Sequence, residues 1–350
     1  MPSAELRTRL VAIGALLAGT GGLFLYAGGW FSPHSLTPAS LVNTFERLGG
    51  VFPGFRRNHA KGVCVTGYFE SNGQGQAISR ALVFHPGRVG IVGRFAFAGG
   101  QPYAADAPQT VRSLAILFRL PDGEEWRTAM INIPVFLVNT VQGFHDFMLA
   151  SSPDPATGKQ DPGAMPAFLA KHPETAAAMR VIGSHPFSSG FADSPYYALN
   201  AFRAVNSTGE SVPVRWAVLA GQSVQTVKPG ATGKNFMFDA LIAQIHAAPL
   251  RWHLILTVGQ PGDSTADATL PWPSDRKQID AGTLTINSVE SEDKSPTRDI
   301  NFDPLVLPDG IQPSDDPLLS ARSAAYSQSF RRRERELKTP SAISPAEVAK

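Results

Sequence analysis

The stretch Ser113-Leu-Ala-Ile-Leu-Phe-Arg-Leu120, then Pro121-Asp122-Gly123, then Trp126-Arg-Thr-Ala-Met-Ile-Asn-Ile133 decides the fold. Two runs rich in strand-forming residues flank a Pro-Asp-Gly turn, so the segment reads as a β-hairpin. Working outward, the pattern repeats. Ala81 to His85, the turn Pro86-Gly87, and Val89 to Phe97 read as a hairpin. So do Ala198 to Val205, the turn Asn206-Ser207-Thr208-Gly209, and Val212 to Leu219. Val63 to Phe69, Trp252 to Val258 and Gly282 to Ile286 add further strands. Hairpins in this spacing predict an antiparallel sheet or a closed barrel. The 32 glycines and 29 prolines suit strands and turns better than a helical bundle.

Helical segments sit between the strands. Thr37-Pro38 reads as an N-cap followed by proline at the first helical position, with a stop at Gly49-Gly50. Pro166 to Val181 is alanine-rich, and Phe236 to Ala247 is amphipathic. A last helix starts at Asp316-Pro317 and runs through Arg331-Arg332-Arg333. The tail from 339 to 350 is rich in Pro, Ser and Ala and is expected to be disordered.

The 350 residues allow one large domain or two smaller ones. With 31 Lys and Arg against 29 Asp and Glu, the chain is not a strongly basic nucleic-acid binder. A lone cysteine, Cys64, excludes an internal disulfide framework and multi-cysteine metal sites, and its apolar strand neighbours predict a buried, inert thiol. The 22 positions from Leu10 to Phe31 carry no charge and follow Arg7 and Arg9. A helix of that length crosses a bilayer core of about 30 Å. Residues 1–35 are therefore expected to be a membrane anchor, or else a signal peptide removed near Tyr26-Ala27-Gly28. Either reading places the body outside the cytoplasm, on the periplasmic side, anchored or secreted.

Two constellations carry chemistry. On the last helix, at 100° per residue, Tyr326 lies about 40° from Arg322 and Arg333 about 20° from it. One phenol and two guanidinium groups share a face. Arg322 stands one turn from Tyr326, where its charge favours a phenolate, a hard ligand suited to ferric iron. Near the other end, Arg56-Arg57-Asn58-His59-Ala60-Lys61-Gly62 precedes a strand and offers a histidine as a proton shuttle.

Read together, these segments resemble the haem catalase family. Arg56-x-x-His59-Ala-Lys-Gly62 with Gly67-Tyr-Phe-Glu70 is similar to its distal-histidine block. Val92-Gly-Arg94-Phe95, Arg112-Ser-Leu-Ala-Ile-Leu-Phe118 and Asn132-Ile-Pro-Val-Phe136 are similar to the blocks that follow. Asp267-Ala-Thr-Leu-Pro-Trp-Pro273, Phe302-Asp-Pro304, Pro308-Asp-Gly-Ile-Gln-Pro313-Ser and Arg322-Ser-Ala-Ala-Tyr326 complete the series in family order.

The resemblance implies an α+β fold: an antiparallel β-barrel with surrounding helices over residues 36–338, a catalase-like haem-binding domain. It implies haem b with Tyr326 as axial iron ligand, Arg322 as its charge partner and His59 as distal acid–base. Arg56, Arg94 and Arg333 match positions that hold haem propionates or the nearby proximal face, and Phe136 and Phe144 match distal aromatics. The chain also departs from the pattern. The distal asparagine position falls on Ile131, with Asn132 one residue away. The serine supporting the distal histidine becomes Ala96, and Asn58 replaces a small apolar residue and is a candidate substitute for the lost polar contact. The C-terminal helical domain is missing. These departures point to the small catalase-related peroxidase branch: a haem peroxidase reducing hydrogen or organic peroxides with a small electron donor, weak in catalase activity and acting in oxidative-stress defence. The alternatives are a catalase-like enzyme rearranging fatty-acid hydroperoxides and a non-enzymatic haem carrier. The membrane would be a partner through the N-terminal helix, and homo-oligomerisation is left open.

Overall fold

A computed structural model describes residues 4–27, 36–154, 157–185, 187–222, 233–293 and 295–345. Ten strands run through it. They are β1 (Gly62–Ser71), β2 (Gly87–Phe97), β3 (Arg112–Arg119), β4 (Glu125–Ile131), β5 (Tyr196–Tyr197), β6 (Phe202–Val205), β7 (Ser211–Ala220), β8 (Leu250–Val258), β9 (Gln278–Glu290) and β10 (Ile311–Pro313). Seven helices accompany them: α1 (Ala4–Ala27), α2 (Pro38–Gly49), α3 (Val141–Ser151), α4 (Ala164–Lys171), α5 (Pro173–Gly183), α6 (Phe236–Ala247) and α7 (Pro317–Glu334).

The sheet order is β10-β6-β7-β5-β4-β3-β2-β1-β9-β8, with β7 also paired to β8. That last pairing closes β7-β5-β4-β3-β2-β1-β9-β8 into an eight-stranded antiparallel barrel, and β6 and β10 extend from its rim. Closure leaves those eight strands without a free edge. The 113–133 hairpin forms as expected, with Phe118 opposite Trp126 and Ser113 opposite Ile131. The barrel is filled by aromatic side chains. Phe118 stacks on Trp126 at 4.7 Å, and Trp126 meets Trp216 edge-on at 5.0 Å. Phe95, Tyr196 and Trp252 are fully buried beside them. Such aromatic packing is the main apolar stabilisation of a barrel of this size.

Three expectations need correction. Leu82–Phe84 is a short 3-10 turn, not a strand, and β2 pairs with β1 and β3 instead. The alanine-rich helix is two helices, broken at His172-Pro173, because Pro173 lacks the N–H that would continue α4. The tail is not loose as far as residue 345. Ile343 is buried, and the Ser341 amide donates to Asp293 at 2.8 Å. Residues 346–350 lie outside the described residues.

The N-terminal run does form a helix, α1, and Leu10, Val11, Leu16, Leu17, Leu23 and Phe24 along it are exposed. No helix among the described residues is long and apolar enough to cross a membrane, so the transmembrane expectation for residues 1–35 is not supported. Four glycines and Thr20 dilute the apolar run, and Arg7 and Arg9 fall within the helix itself. Residues 28–35, including Gly28 of the expected cleavage point, lie outside the described residues.

Candidate active site

The site lies where the loop before β1 meets the interior-facing side of α7. Its first half is the segment 56–62. His59 adopts a left-handed backbone, φ 55°. That conformation costs a non-glycine residue about 1–3 kcal/mol and persists only where neighbours enforce it. Asn58 does so: its side-chain oxygen accepts from the His59 amide at 2.9 Å and from the Gly99 amide at 2.8 Å. The Ala60 amide adds a bond to the Gly99 carbonyl at 2.9 Å. Arg94, on β2, reaches under the turn and donates to the His59 carbonyl at 2.7 Å and the Ala60 carbonyl at 3.0 Å. Gly62 makes room for this. A Cβ there would stand 2.5 Å from the Arg94 guanidinium carbon.

The His59 ring faces a one-sided electrostatic environment. Nδ1 is sealed from solvent with no hydrogen-bond partner. Ala96, where the related pattern has a serine, brings no hydroxyl. Burial, followed by the charges of Arg94, Arg322 and Arg56, pushes the imidazole down from 6.5 to about 3, and the Phe97 backbone only partly opposes this. The ring is therefore neutral at physiological pH, and Nε2 is left as the atom that exchanges protons.

Around it stands a buried cationic cradle. Arg56 and Arg94 converge on Glu292, which follows β9. Nη1 of Arg56 donates to Oε1 at 2.8 Å, and Nε and Nη2 of Arg94 grip both oxygens at 2.7 and 2.9 Å. Arg56 also donates to the Thr297 carbonyl at 2.7 Å. Arg333, only 6% exposed, stacks on Phe330 at 5.0 Å, and its Nη2 has no partner. Burial lowers Arg333 to about 10, and burial with the charges of Arg94 and Arg333 lowers Arg56 well below its ordinary value. Burial pushes Glu292 up, but the two arginines outweigh it and hold the carboxyl at about 2.

The second half of the site is α7. Asp316 caps it, accepting from the Leu318 amide at 2.9 Å, and Pro317 opens the first turn. Asp316 also accepts from the Asn200 side chain at 2.7 Å, and the Asn200 oxygen in turn accepts from Nη1 of Arg322. Nη2 of Arg322 is tied to the Ala129 carbonyl on β4 at 3.1 Å. Thus anchored, the Arg322 guanidinium carbon lies 5.9 Å from the centre of the Tyr326 ring. At the far end of α7, Glu46 on α2 accepts from Arg57 at 2.7 Å and from Arg332 at 2.6 Å, while Arg57 also pairs with Glu336. The histidine loop, α2 and α7 are clamped together by these charges.

The expected charged residues are thus brought together, while the two expected aromatics sit in a separate apolar cluster. His59, Arg56, Arg94 and Arg333 share one charge cluster. Arg322 and Tyr326 share the α7 face, and Arg322 is among the charges acting on His59. Phe136 and Phe144 pack at 5.6 Å, with Phe45 of α2 6.0 Å from Phe144. Asn132 is spent elsewhere: its side-chain oxygen accepts from the Arg112 amide at 2.7 Å. The Asn58 side-chain oxygen serves the backbone of the turn. Cys64 is buried, its Sγ 2.6 Å from the Ser295 hydroxyl, and burial pushes the thiol up. Sequence reading missed Glu292, Asn200 and the Glu46 and Glu336 clamp. The one available signal was three arginines assigned to one place with no carboxylate to balance them.

The cradle fits an anionic group. Two guanidinium groups share the one carboxylate of Glu292, and one buried donor of the neighbouring Arg333, Nη2, is unused. Haem, with two carboxylates and an iron that takes a phenolate oxygen, matches that set of donors. Comparison with known proteins agrees. A catalase family model matches residues 53–336. A catalase-related peroxidase of Synechococcus elongatus is 36% identical over 93% of this chain and 96% of that protein. A second, from Mycolicibacterium paratuberculosis, is 30% identical over 85% of this chain and 95% of its own length. Rat catalase is 26% identical, and its match spans only 55% of that longer protein. Among solved structures, a fungal catalase superimposes with a TM-score of 0.71 at 19% identity, covering 86% of this chain and 63% of that one.

Proposed function

We propose that this chain, which belongs to the catalase family and to its small catalase-related branch, spends peroxide mainly on oxidising a small electron donor rather than on releasing oxygen. That it is a peroxide-degrading haem enzyme follows from its membership. The proposal covers the donor preference, a role in oxidative-stress defence and the residue roles that follow. Tyr326 would hold the iron, Arg322 would keep its ring in place, and Arg56, Arg94 and Arg333 would hold the carboxylates of haem, here read as haem b. When bound, haem would supply a redox-active iron able to react with peroxide, with His59 as the proton carrier.

The observation that carries the reading is the state of His59. A neutral imidazole with Nδ1 sealed off can accept a peroxide proton at Nε2 and return it to the oxygen that leaves as water. Phe136 and Phe144, which pack on each other, would wall the haem on the distal side, as the family pattern implies. Oxygen release needs a second peroxide aligned as reductant, and an amide beside His59 would help to orient it. Here the sequence pattern puts Ile131 at that position, and the side-chain oxygens of Asn132 and Asn58 are held by backbone amides, which fixes both side chains. Donor oxidation makes no such demand. The same commitment of Asn58 leaves no observation favouring hydroperoxide rearrangement.

The test is direct. Purified, haem-loaded protein is given hydrogen peroxide with an aromatic donor while dye formation and oxygen release are recorded together. Donor oxidation should dominate; vigorous oxygen release with no donor oxidation reverses the ranking. Export of the body is part of the same proposal, with residues 1–35 as a removable leader. N-terminal sequencing of the mature protein from fractionated cells tests it.

A further inference from the structure

Glu292 has no place in the roles assigned so far, yet it sits at the centre of the cradle. It is 5% exposed and is held by three hydrogen bonds of 2.7–2.9 Å from Arg94 and Arg56. It fills the Nε–Nη2 fork of Arg94, the geometry that takes a carboxylate in two parallel bonds. The remaining Arg94 donors are largely used: Nη1 serves the His59 carbonyl and Nη2 also serves Ala60. Arg56 gives its Nη2 to Thr297 and Ile300. An incoming carboxylate therefore finds one ready donor, Nη2 of Arg333, and meets Glu292 at the other two arginines.

We propose that Glu292 is an internal carboxylate that competes with the carboxylates of the porphyrin for Arg94 and Arg56, and so acts as a brake on cofactor loading. Two features support a competitor over a permanent fixture. The first is the charge arrangement: two anions brought to the same guanidinium groups repel each other in a poorly solvated space, so each weakens the other. The second is an exit. Glu292 lines a polar, solvent-open cleft of about 410 Å³ whose other walls include Asp293 and Asp299, paired with Arg298 and Lys338 respectively. A displaced side chain can turn toward that cleft and hydrate its carboxylate there. The proposal rests on the haem reading above.

The test uses metal-free protoporphyrin IX and its dimethyl ester, so that neither the iron–tyrosine bond nor turnover enters. The full chain, freed of porphyrin, is titrated with each and the fluorescence followed, in wild type and Glu292→Gln. Wild type should bind the diacid. The Glu292→Gln protein should bind it about tenfold tighter, with the ester changed less than about twofold. A folded Glu292→Gln protein that binds the diacid equally or more weakly overturns the proposal and makes Glu292 an organiser of the cradle. If that variant does not fold, Glu292→Asp decides. It keeps the charge but is one methylene short of spanning both arginines, so the diacid should again bind tighter, and no gain overturns the proposal. Wild type binding neither porphyrin would overturn this inference, whereas failure to take up iron protoporphyrin would separately overturn the residue roles assigned to the haem site.

Discussion

The two faces of the site are built on opposite plans. The α7 face is regular. A capped helix presents Arg322 and Tyr326 one turn apart, and Arg322 is steadied by a side-chain relay from Asp316 through Asn200 and by the Ala129 carbonyl. The His59 face is irregular. A left-handed histidine is held by a neighbouring asparagine, by the backbone of Gly99 and by an arginine from another strand. The contrast suggests a division of labour. The face expected to hold the metal gains rigidity from periodic structure, and the face expected to move protons gains a fixed, dry imidazole from strain that its neighbours enforce.

If the comparison is right, substitutions on the two faces fail differently. Tyr326→Phe should cost the most, at least about a hundredfold in peroxide turnover, together with a changed haem absorption spectrum, since it removes the iron's own ligand. An unaltered spectrum would show that α7 does not hold the metal. His59→Ala should lower turnover by about 10²–10⁴-fold yet leave the haem spectrum and content near wild type, as expected for a lost proton carrier. Loss of haem from that variant would erase the distinction between the faces.

Smaller effects probe how the faces are joined. Glu46→Ala cuts the clamp from Arg57 and Arg332, and chemical denaturation should show a loss of about 1–3 kcal/mol. Asn58→Ala removes two bonds from the His59 turn. It should cost about 1–2 kcal/mol and lower turnover without altering haem content. The pH dependence is the finest test. His59 is lowered from 6.5 to about 3 in the folded chain, so the unfolded chain binds the extra proton between those values. Its contribution to porphyrin-free stability is therefore full above 6.5 and is lost as pH falls toward 3. His59→Gln should flatten that part of the stability profile, measured by thermal melts from pH 7 to 4. An unchanged slope would mean the imidazole is not held neutral by its setting.

The same contrast governs what could be read in advance. Everything on α7 was legible, because helix rotation alone places Arg322, Tyr326 and Arg333 and a cap with proline marks the start. The 113–133 hairpin was legible for a similar reason, since its turn and both strands lie within two dozen residues. The turn signal at Pro86-Gly87 misled, because burial of Val83 and Phe84 in the core, not strand pairing, shapes the segment before it. The positive φ of His59 has no local signature, since it depends on Gly99 and Arg94. Glu292 was invisible for the same cause. Its partners are 198 and 236 positions away, and only the long-range pairing of β1 with both β2 and β9 brings them to one place.

Gly62 gives this architecture an unusual weak point. The Arg94 guanidinium lies across the main chain where a side chain would otherwise begin, with the Phe95 carbonyl equally close at 2.5 Å. Adding a single methyl at residue 62 would evict the arginine from beneath the histidine turn and from the cradle at once. The position with the least chemistry thus guards the most of it. A screen for inactive variants should find the site as vulnerable to an added carbon as to a lost charge.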